Sequence, residues 1–381
     1  MKDLATKNTK DTKKVWPMAR LGDVCEVRAG ATHHEIVSDT GKYPVYGSGG
    51  YICQATTYRC PANTVTIGRK GTLDKPLLIE EPFWNIDTCF GVIPNEALDA
   101  KYLWRFCQNF DFYKLIPAIG RPSTNSDAIK SITIPLPPLS VQRAIVARLE
   151  KELGEADKLA AKFKRVAELA DDAFKAELDE TFKALEDNSR RDAETRRVRL
   201  GDVCEIKNGY TPKKDGLSEE GDIPYFRISS MNFPENLKML DSPNAWLRGH
   251  WRSFKKGSIV FPKNGGAAYT GKVRVLSQDS VVDLNTGVCT PNSDCAKDYL
   301  YFWFTQIDIK RAIVEGTIPF VDLGKLADFL IPLPHLAAQR AIVAKLDAAK
   351  ERCEKLKAAA MRGLAAAENL RKAILAEAFE Q

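Results

Sequence analysis

The sequence predicts an α+β chain: two mixed α/β domains separated by two long antiparallel helices, a coiled-coil bar, with a pseudo-twofold internal repeat. Three observations predict it. Two blocks occur twice in the same order: ARLGDVCEV at 19–27 returns as VRLGDVCEI at 198–206, and IPLPPLSVQRAIVARLE at 134–150 returns as IPLPHLAAQRAIVAKLD at 331–347. Repetition on this scale marks one unit written twice. All six tryptophans, eleven tyrosines and twenty prolines lie in 16–138 or 199–334. The segments without them are rich in Ala, Leu, Glu, Lys and Arg, the composition of helices, and their apolar residues recur by threes and fours.

The elements follow in order. Residues 1–15 are a flexible basic tail, 16–138 the first mixed domain, 139–195 a central long helix, 196–334 the second mixed domain and 335–381 a C-terminal long helix. The mixed domains alternate short apolar runs with turns, as in Val65 and Ile67 before GRKG, or SIVF at 258–261 before a glycine-rich loop. Each long helix starts behind a P-x-P element, which cannot be helix interior. Taking 140–187 and 336–380 as helical gives roughly 65–70 Å each at 1.5 Å per residue.

The central stripe runs Val146, Leu149, Leu153, Ala156, Ala160, Phe163, Ala167, Ala170, Phe174. The C-terminal stripe runs Ile342, Leu346, Ala349, Cys353, Leu356, Ala360, slips at Gly363, and resumes through Leu364, Ala367, Leu370 and Ile374. Narrow, alanine-rich stripes ask for a partner helix at close range. The first helix leaves the first domain and ends at the second, so the last must run back to bury its stripe on the first. A dumbbell with an antiparallel bar follows.

Charge and composition exclude several classes. The net charge is +6, but three of those six positive charges sit in residues 1–15, and 16–133 is neutral with twelve charges of each sign. Bulk electrostatics therefore does not establish nucleic-acid binding, and bound phosphates require local clusters. No run of about 18 apolar residues occurs, and the lysine-rich start lacks the apolar stretch of a secretory signal. Nine scattered cysteines without a C-x-x-C pair suit a reducing compartment. These points predict a soluble, cytoplasmic protein with no membrane partner. The four histidines, His33, His34, His250 and His335, have no ligand spacing with cysteines, so no metal site is expected.

Motifs for catalysis are incomplete. GAAYTGKV at 266–273 misses the phosphate-loop hydroxyl at Val273, and VRVL beyond it has strand character. Glu205-Ile-Lys207 and Asp308-Ile-Lys310 offer a nuclease-like tripeptide without a second carboxylate to complete a metal site. No glycine-rich loop with an [N/D]-P-P-[Y/F] motif supports methyl transfer. No catalytic residue and no cofactor are expected in this chain.

The element order and the doubled IPLPxLxxQRAIVAxL block resemble the specificity subunit of type I restriction–modification systems, across nearly the whole chain. YPVYGSGG (43–50), TVTIGRKGT (64–72), GRPSTNSD (120–127), IPYFRISSMN (223–232) and GSIVFPKNGGAAYTGK (257–272) look like that family's target-recognition domains. The resemblance implies a DNA sequence-recognition subunit that binds a bipartite double-stranded site with an unread spacer. It also implies two copies of a DNA adenine methyltransferase subunit and a restriction/translocation subunit as partners, which would use S-adenosylmethionine, ATP and magnesium. A methylation-only or phage-exclusion specificity subunit, and a structural bridge with no DNA role, stand as alternatives.

Arginine and lysine suit guanine, asparagine suits adenine, and hydroxyls and backbone amides hold phosphate. On that chemistry the candidates in the first domain are Tyr46, Ser48, Arg69, Lys70, Arg121, Ser123, Thr124 and Asn125. In the second they are Arg227, Ser229, Ser230, Asn232, Lys263, Asn264, Tyr269, Lys272 and Thr317. Tyr46 and Tyr269 fit a core equally well, and the run YLYFWF at 299–304 is assigned to packing. Gln142-Arg143 and Gln339-Arg340 recur on the first turn of each helix, either as helix-start hydrogen bonding or as a repeated partner-docking point.

Overall fold

The computed structural model describes residues 16–116, 123–190, 195–213 and 216–379. These fall into two compact units, drawn from Met1–Lys164 with Ala360–Gln381, and from Arg165–Ala359. Each unit therefore holds one mixed domain and a piece of both long helices.

In the first unit a four-stranded antiparallel sheet has the order Cys25–Ala29, Cys89–Pro94, Thr64–Gly68, Leu77–Ile79. A second sheet has the order Gly50–Ala55, Tyr43–Gly47, Trp84–Asn85, its last pair parallel. The second unit repeats this plan. Its larger sheet runs Cys204–Asn208, Thr286–Pro291, Ile259–Pro262, Arg274–Leu276, Met239–Leu240, and its smaller one Leu217–Ser218, Ala245–Leu247, Ile223–Phe226, Val281–Val282. Each sheet is one strand larger than its counterpart, which uses the extra residues between the second pair of sequence blocks.

The repeated blocks recur for a structural reason: they are strand partners. Met18–Arg20 pairs antiparallel with Thr133–Pro135, placing Ala19 opposite Ile134. Thr195–Arg199 pairs with Leu330–Pro334 in the same way, placing Val198 opposite Ile331. Leu21 N then donates to Ile132 O (2.8 Å), and Leu200 N to Phe329 O (2.7 Å). Entry to each domain is thus stitched to its exit just before the long helix starts.

The central helix spans Leu139–Asn188 and the C-terminal helix Leu336–Phe379. Every residue of the central stripe is buried or half-buried. In the first unit Asp157 pairs with Arg371 (3.2 Å) and Phe163 lies against Gly363. In the second, Asp171 pairs with Lys357 (2.5 Å) and Glu177 with Lys345 (2.7 Å). Rising numbers on one helix meet falling numbers on the other, so the helices run antiparallel within each unit.

They also complete the domain cores. Val146, Leu149 and Leu153, with Leu375 and Phe379 from the end of the other helix, join the core around Leu21, Ile67, Val92 and Tyr102. Leu178, Phe182 and Leu346 join the core around Leu200, Ile259, Phe261 and Tyr299. Phe379 packs at a tilt against Tyr102 (5.2 Å between centroids) as Phe182 does against Tyr299 (5.5 Å). The C-terminal stripe is corrected here: Leu356 and Leu370 are 49% and 47% exposed, while Leu375 and Phe379, off that stripe, are buried in the core of the first domain. The six residues Tyr299–Phe304 are all buried, so this aromatic run is packing.

Candidate nucleic-acid interface

In the first unit the chain leaves strand Thr64–Gly68 into the turn Arg69-Lys70-Gly71. Thr88 organises this turn. Its carbonyl accepts from Arg69 N (2.8 Å) and Lys70 N (3.2 Å), and its Oγ1 accepts from Ser48 N (3.2 Å). Thr124 N donates to Arg69 O (3.0 Å), and Lys70 faces Ser123 across an isolated antiparallel bridge. Gly71 has φ +76, a conformation glycine adopts without steric cost, so the turn can close. The result gathers Ser48, Arg69, Lys70 and Ser123 from three separate segments. Arg69 is half-buried with its guanidinium 5.9 Å from the Phe90 ring centroid, while Lys70 is exposed with Nζ 3.8 Å from Asp87.

The second unit builds the same bracket from different side chains. Lys263 N donates to Asn285 O (2.7 Å), Val321 N donates to Lys263 O (2.8 Å), and Asn264 faces Phe320 across an isolated antiparallel bridge. Through these two bonds and the bridge, Arg69 matches Lys263, Lys70 matches Asn264, Thr88 matches Asn285, Ser123 matches Phe320 and Thr124 matches Val321. Asn264 Nδ2 reaches Asn285 Oδ1 (3.1 Å) and Leu284 O (3.4 Å). Beside it, the buried Asp283 accepts from Ile228 N (3.3 Å), Asn285 N (3.2 Å) and Thr286 Oγ1 (2.7 Å), which fixes the loop.

Thr317 is exposed in the hairpin between Ile313–Val314 and Phe320–Val321. Tyr269 OH donates to Glu315 at the base of that hairpin (2.7 Å), and the accepting carboxylate raises the phenol above its ordinary pKa. Arg227 and Ser229 are exposed and tied to Asn244, through Arg227 N to Asn244 Oδ1 (2.6 Å) and Asn244 Nδ2 to Ser229 Oγ (3.3 Å). Lys272 Nζ bonds the exposed Asn232 Oδ1.

Several expected reading residues have other employment. Thr124 is 4% exposed and its match Val321 is fully buried, so this is a position for buried methyl groups; Thr124 Oγ1 has no partner among the described residues. Asn125 caps the short helix Ser126–Lys130 by accepting from Ala128 N (2.8 Å), as Asp322 caps Leu323–Ala327. Ser230 is fully buried and its hydroxyl donates to Arg227 O (2.6 Å). Tyr46 packs edge-on against Phe83 and Tyr51 (5.7 and 6.1 Å). Arg121 lies outside the described residues.

The docking expectation at the helix starts is corrected for both glutamines. Gln142 is fully buried: Nε2 donates to Ala97 O (2.9 Å) and Pro137 O (2.8 Å), and Oε1 accepts from Asp99 N (2.8 Å). Gln339 repeats the pattern with Asp294 O (2.9 Å), Pro334 O (2.8 Å) and Ala296 N (2.8 Å). A side chain with all its bonds satisfied in the interior offers a partner nothing. Arg143, near Asp99 (3.6 Å), and Arg340 are exposed.

Sequence reasoning passed over Thr88, Asn285 and Asp283. They belong to no motif, and the available signal was alignment of the two copies through Pro94 and Pro291, matched at the strand ends opposite Cys25 and Cys204.

The profile of the type I restriction modification DNA specificity domain matches residues 13–161 and again 193–360. The chain belongs to this family. A putative type I restriction enzyme specificity subunit of Haemophilus influenzae is 22% identical over 325 residues, covering 81% of this chain and 80% of that protein. The MjaVIII specificity subunit of Methanocaldococcus jannaschii is 22% identical over 310 residues, covering 75% and 69%. A chain solved in work on complex assembly and conformational transition of the type I R-M system superposes with a TM-score of 0.79 at 20% identity, covering 96% of this chain and 97% of that one. The HsdS subunit from Thermoanaerobacter tengcongensis gives 0.59 at 21% identity with the same coverage. This specificity subunit is accordingly a DNA-recognition protein, and its two family matches coincide with the two copies of the loop bracket. None of its described helices is long and apolar enough to cross a membrane.

Proposed function

We propose that this specificity subunit reads a bipartite duplex, one short half-site per unit with an unread spacer between them, and catalyses nothing itself. In the cytoplasm it would hold two copies of a DNA adenine methyltransferase subunit, together with a restriction and translocation subunit, on the target. S-adenosylmethionine, ATP and magnesium would be used by those partners. One observation carries the reading: two copies of one backbone bracket present different side chains, Arg69 and Lys70 in one, Lys263 and Asn264 in the other. A shared frame with different readers gives two different half-sites.

Duplex binding tests it. The chain assembled with its methyltransferase subunit should bind one duplex sequence far above random duplex, by a factor of about 10³ or more at physiological salt. Equal binding to all duplexes would reject sequence recognition. Co-purification of a nuclease subunit separates a restriction complex from a methylation-only one.

A further inference from the structure

Around the matched polar residues the two brackets differ in polarity, with Ser123 and Asp87 in one where Phe320 and Leu284 stand in the other. Lys70 faces Ser123 in the first unit, with Asp87 beside it. Asn264 faces Phe320 in the second, and the residue beside it is Leu284, whose carbonyl takes the Asn264 amide. Leu284, Ile318 and Phe320 are 49%, 67% and 39% exposed. Backbone bonds next to these residues tie their segments to the bracket: Lys263 N to Asn285 O beside Leu284, Gly265 N to Pro319 O (2.7 Å) beside Ile318, and the short hairpin pairing Val314 with Phe320. Val321, next in sequence, is fully buried, so the hairpin anchors on one side and shows Phe320 on the other.

Apolar side chains among donors at a DNA-reading tip have one chemical counterpart in the major groove, the C5-methyl group of thymine. We propose that the half-site read by the second unit contains a thymine whose methyl group packs on Phe320, flanked by Ile318 and Leu284, and that the first unit makes no such contact. This rests on the second unit being a DNA reader and names what it reads. The three side chains are the specificity-determining residues for that base pair.

The test uses the full chain with its methyltransferase subunit and a duplex carrying its mapped target. Each thymine in turn is replaced by deoxyuridine, which pairs identically but lacks the methyl group. At a position in one half-site the replacement should lower affinity about four-fold, the value of burying one apolar carbon. In the Phe320→Ser complex the same replacement should cost nothing. Ile318→Ser, at a largely exposed position, should reduce the penalty and guards against misfolding of the first variant. A half-site pair insensitive to every deoxyuridine, or a penalty unchanged in both variants, overturns the proposal. So does loss of methyltransferase assembly with intact methyl sensitivity, which would assign the patch to a protein partner. Binding of the unmodified duplex is read separately, and its failure would instead reject sequence recognition itself.

Discussion

The ring of Phe163 occupies the space where Gly363 would carry a side chain: a Cβ there would lie 2.4–2.6 Å from three ring carbons. This packing explains a glycine in the interior of a 44-residue helix, where it costs about 1 kcal/mol against alanine. Gly154 on the central helix has no atom within 4 Å of its would-be Cβ. Gly154→Ala should therefore stabilise by about 0.5–1 kcal/mol. Gly363→Ala should destabilise by about 1–2 kcal/mol, as overpacking outweighs propensity. Urea unfolding of the two variants checks the opposite signs.

Gln142→Ala and Gln339→Ala each remove three hydrogen bonds and strand backbone groups in the interior. Each should cost about 2–4 kcal/mol. Arg143→Ala, at a side chain 71% exposed, should stay within about 0.5 kcal/mol. A docking role for the glutamines would give the reverse, unchanged thermal unfolding with weakened partner assembly.

How much of this was legible in the sequence differs by scale. The repeat, the composition boundary and the stripe from Val146 to Phe174 follow from chemistry written along the chain, and the structure buries or half-buries every residue of that stripe. Leu356 and Leu370 continue the C-terminal pattern yet stay exposed, and the end of the helix instead buries Leu375 and Phe379, which the pattern did not include. At the site, residue type pointed to Arg69, Lys70, Lys263 and Asn264, which the fold places at matching positions of the two brackets. The same chemistry also selected Asn125 and Ser230, since a hydroxyl or amide that closes a turn looks in sequence like one that meets DNA. Thr88 and Asn285 act through a carbonyl that every residue possesses, so side-chain identity cannot reveal them.

Lys70→Ala and Lys263→Ala should each weaken duplex binding and flatten the log–log salt dependence by about one unit for each phosphate no longer neutralised. Lys70 is the more exposed, paired to Asp87 only at 3.8 Å, so its charge is available to a ligand. Anisotropy titrations between about 50 and 200 mM salt read this out, since a protein that neutralises about ten phosphates changes affinity by orders of magnitude over that range. Unchanged affinity and preference in both variants would place the reading surface elsewhere.

Burial pushes the thiols of Cys60 up to about 11 and of Cys25, Cys89 and Cys295 up to about 12, and raises Cys107 and Cys289 as well. A raised thiol pKa keeps the protonated, unreactive form at about pH 8. Cys204 is buried as well, so alkylation of native protein should mark only the half-buried Cys53 and Cys353, and all nine cysteines after denaturation. Peptide mass mapping checks this, and native labelling of Cys60 or Cys89 would contradict the packing described for the first unit.

Methylation mapping of cellular DNA decides whether each unit reads its own half-site, using cells that carry the methyltransferase subunit with this chain, with Arg69→Ala, or with Asn264→Ala. The native chain should give one bipartite motif, relaxed in one half by Arg69→Ala and in the other half by Asn264→Ala. A single contiguous motif, or one in which both substitutions alter the same half, would contradict it.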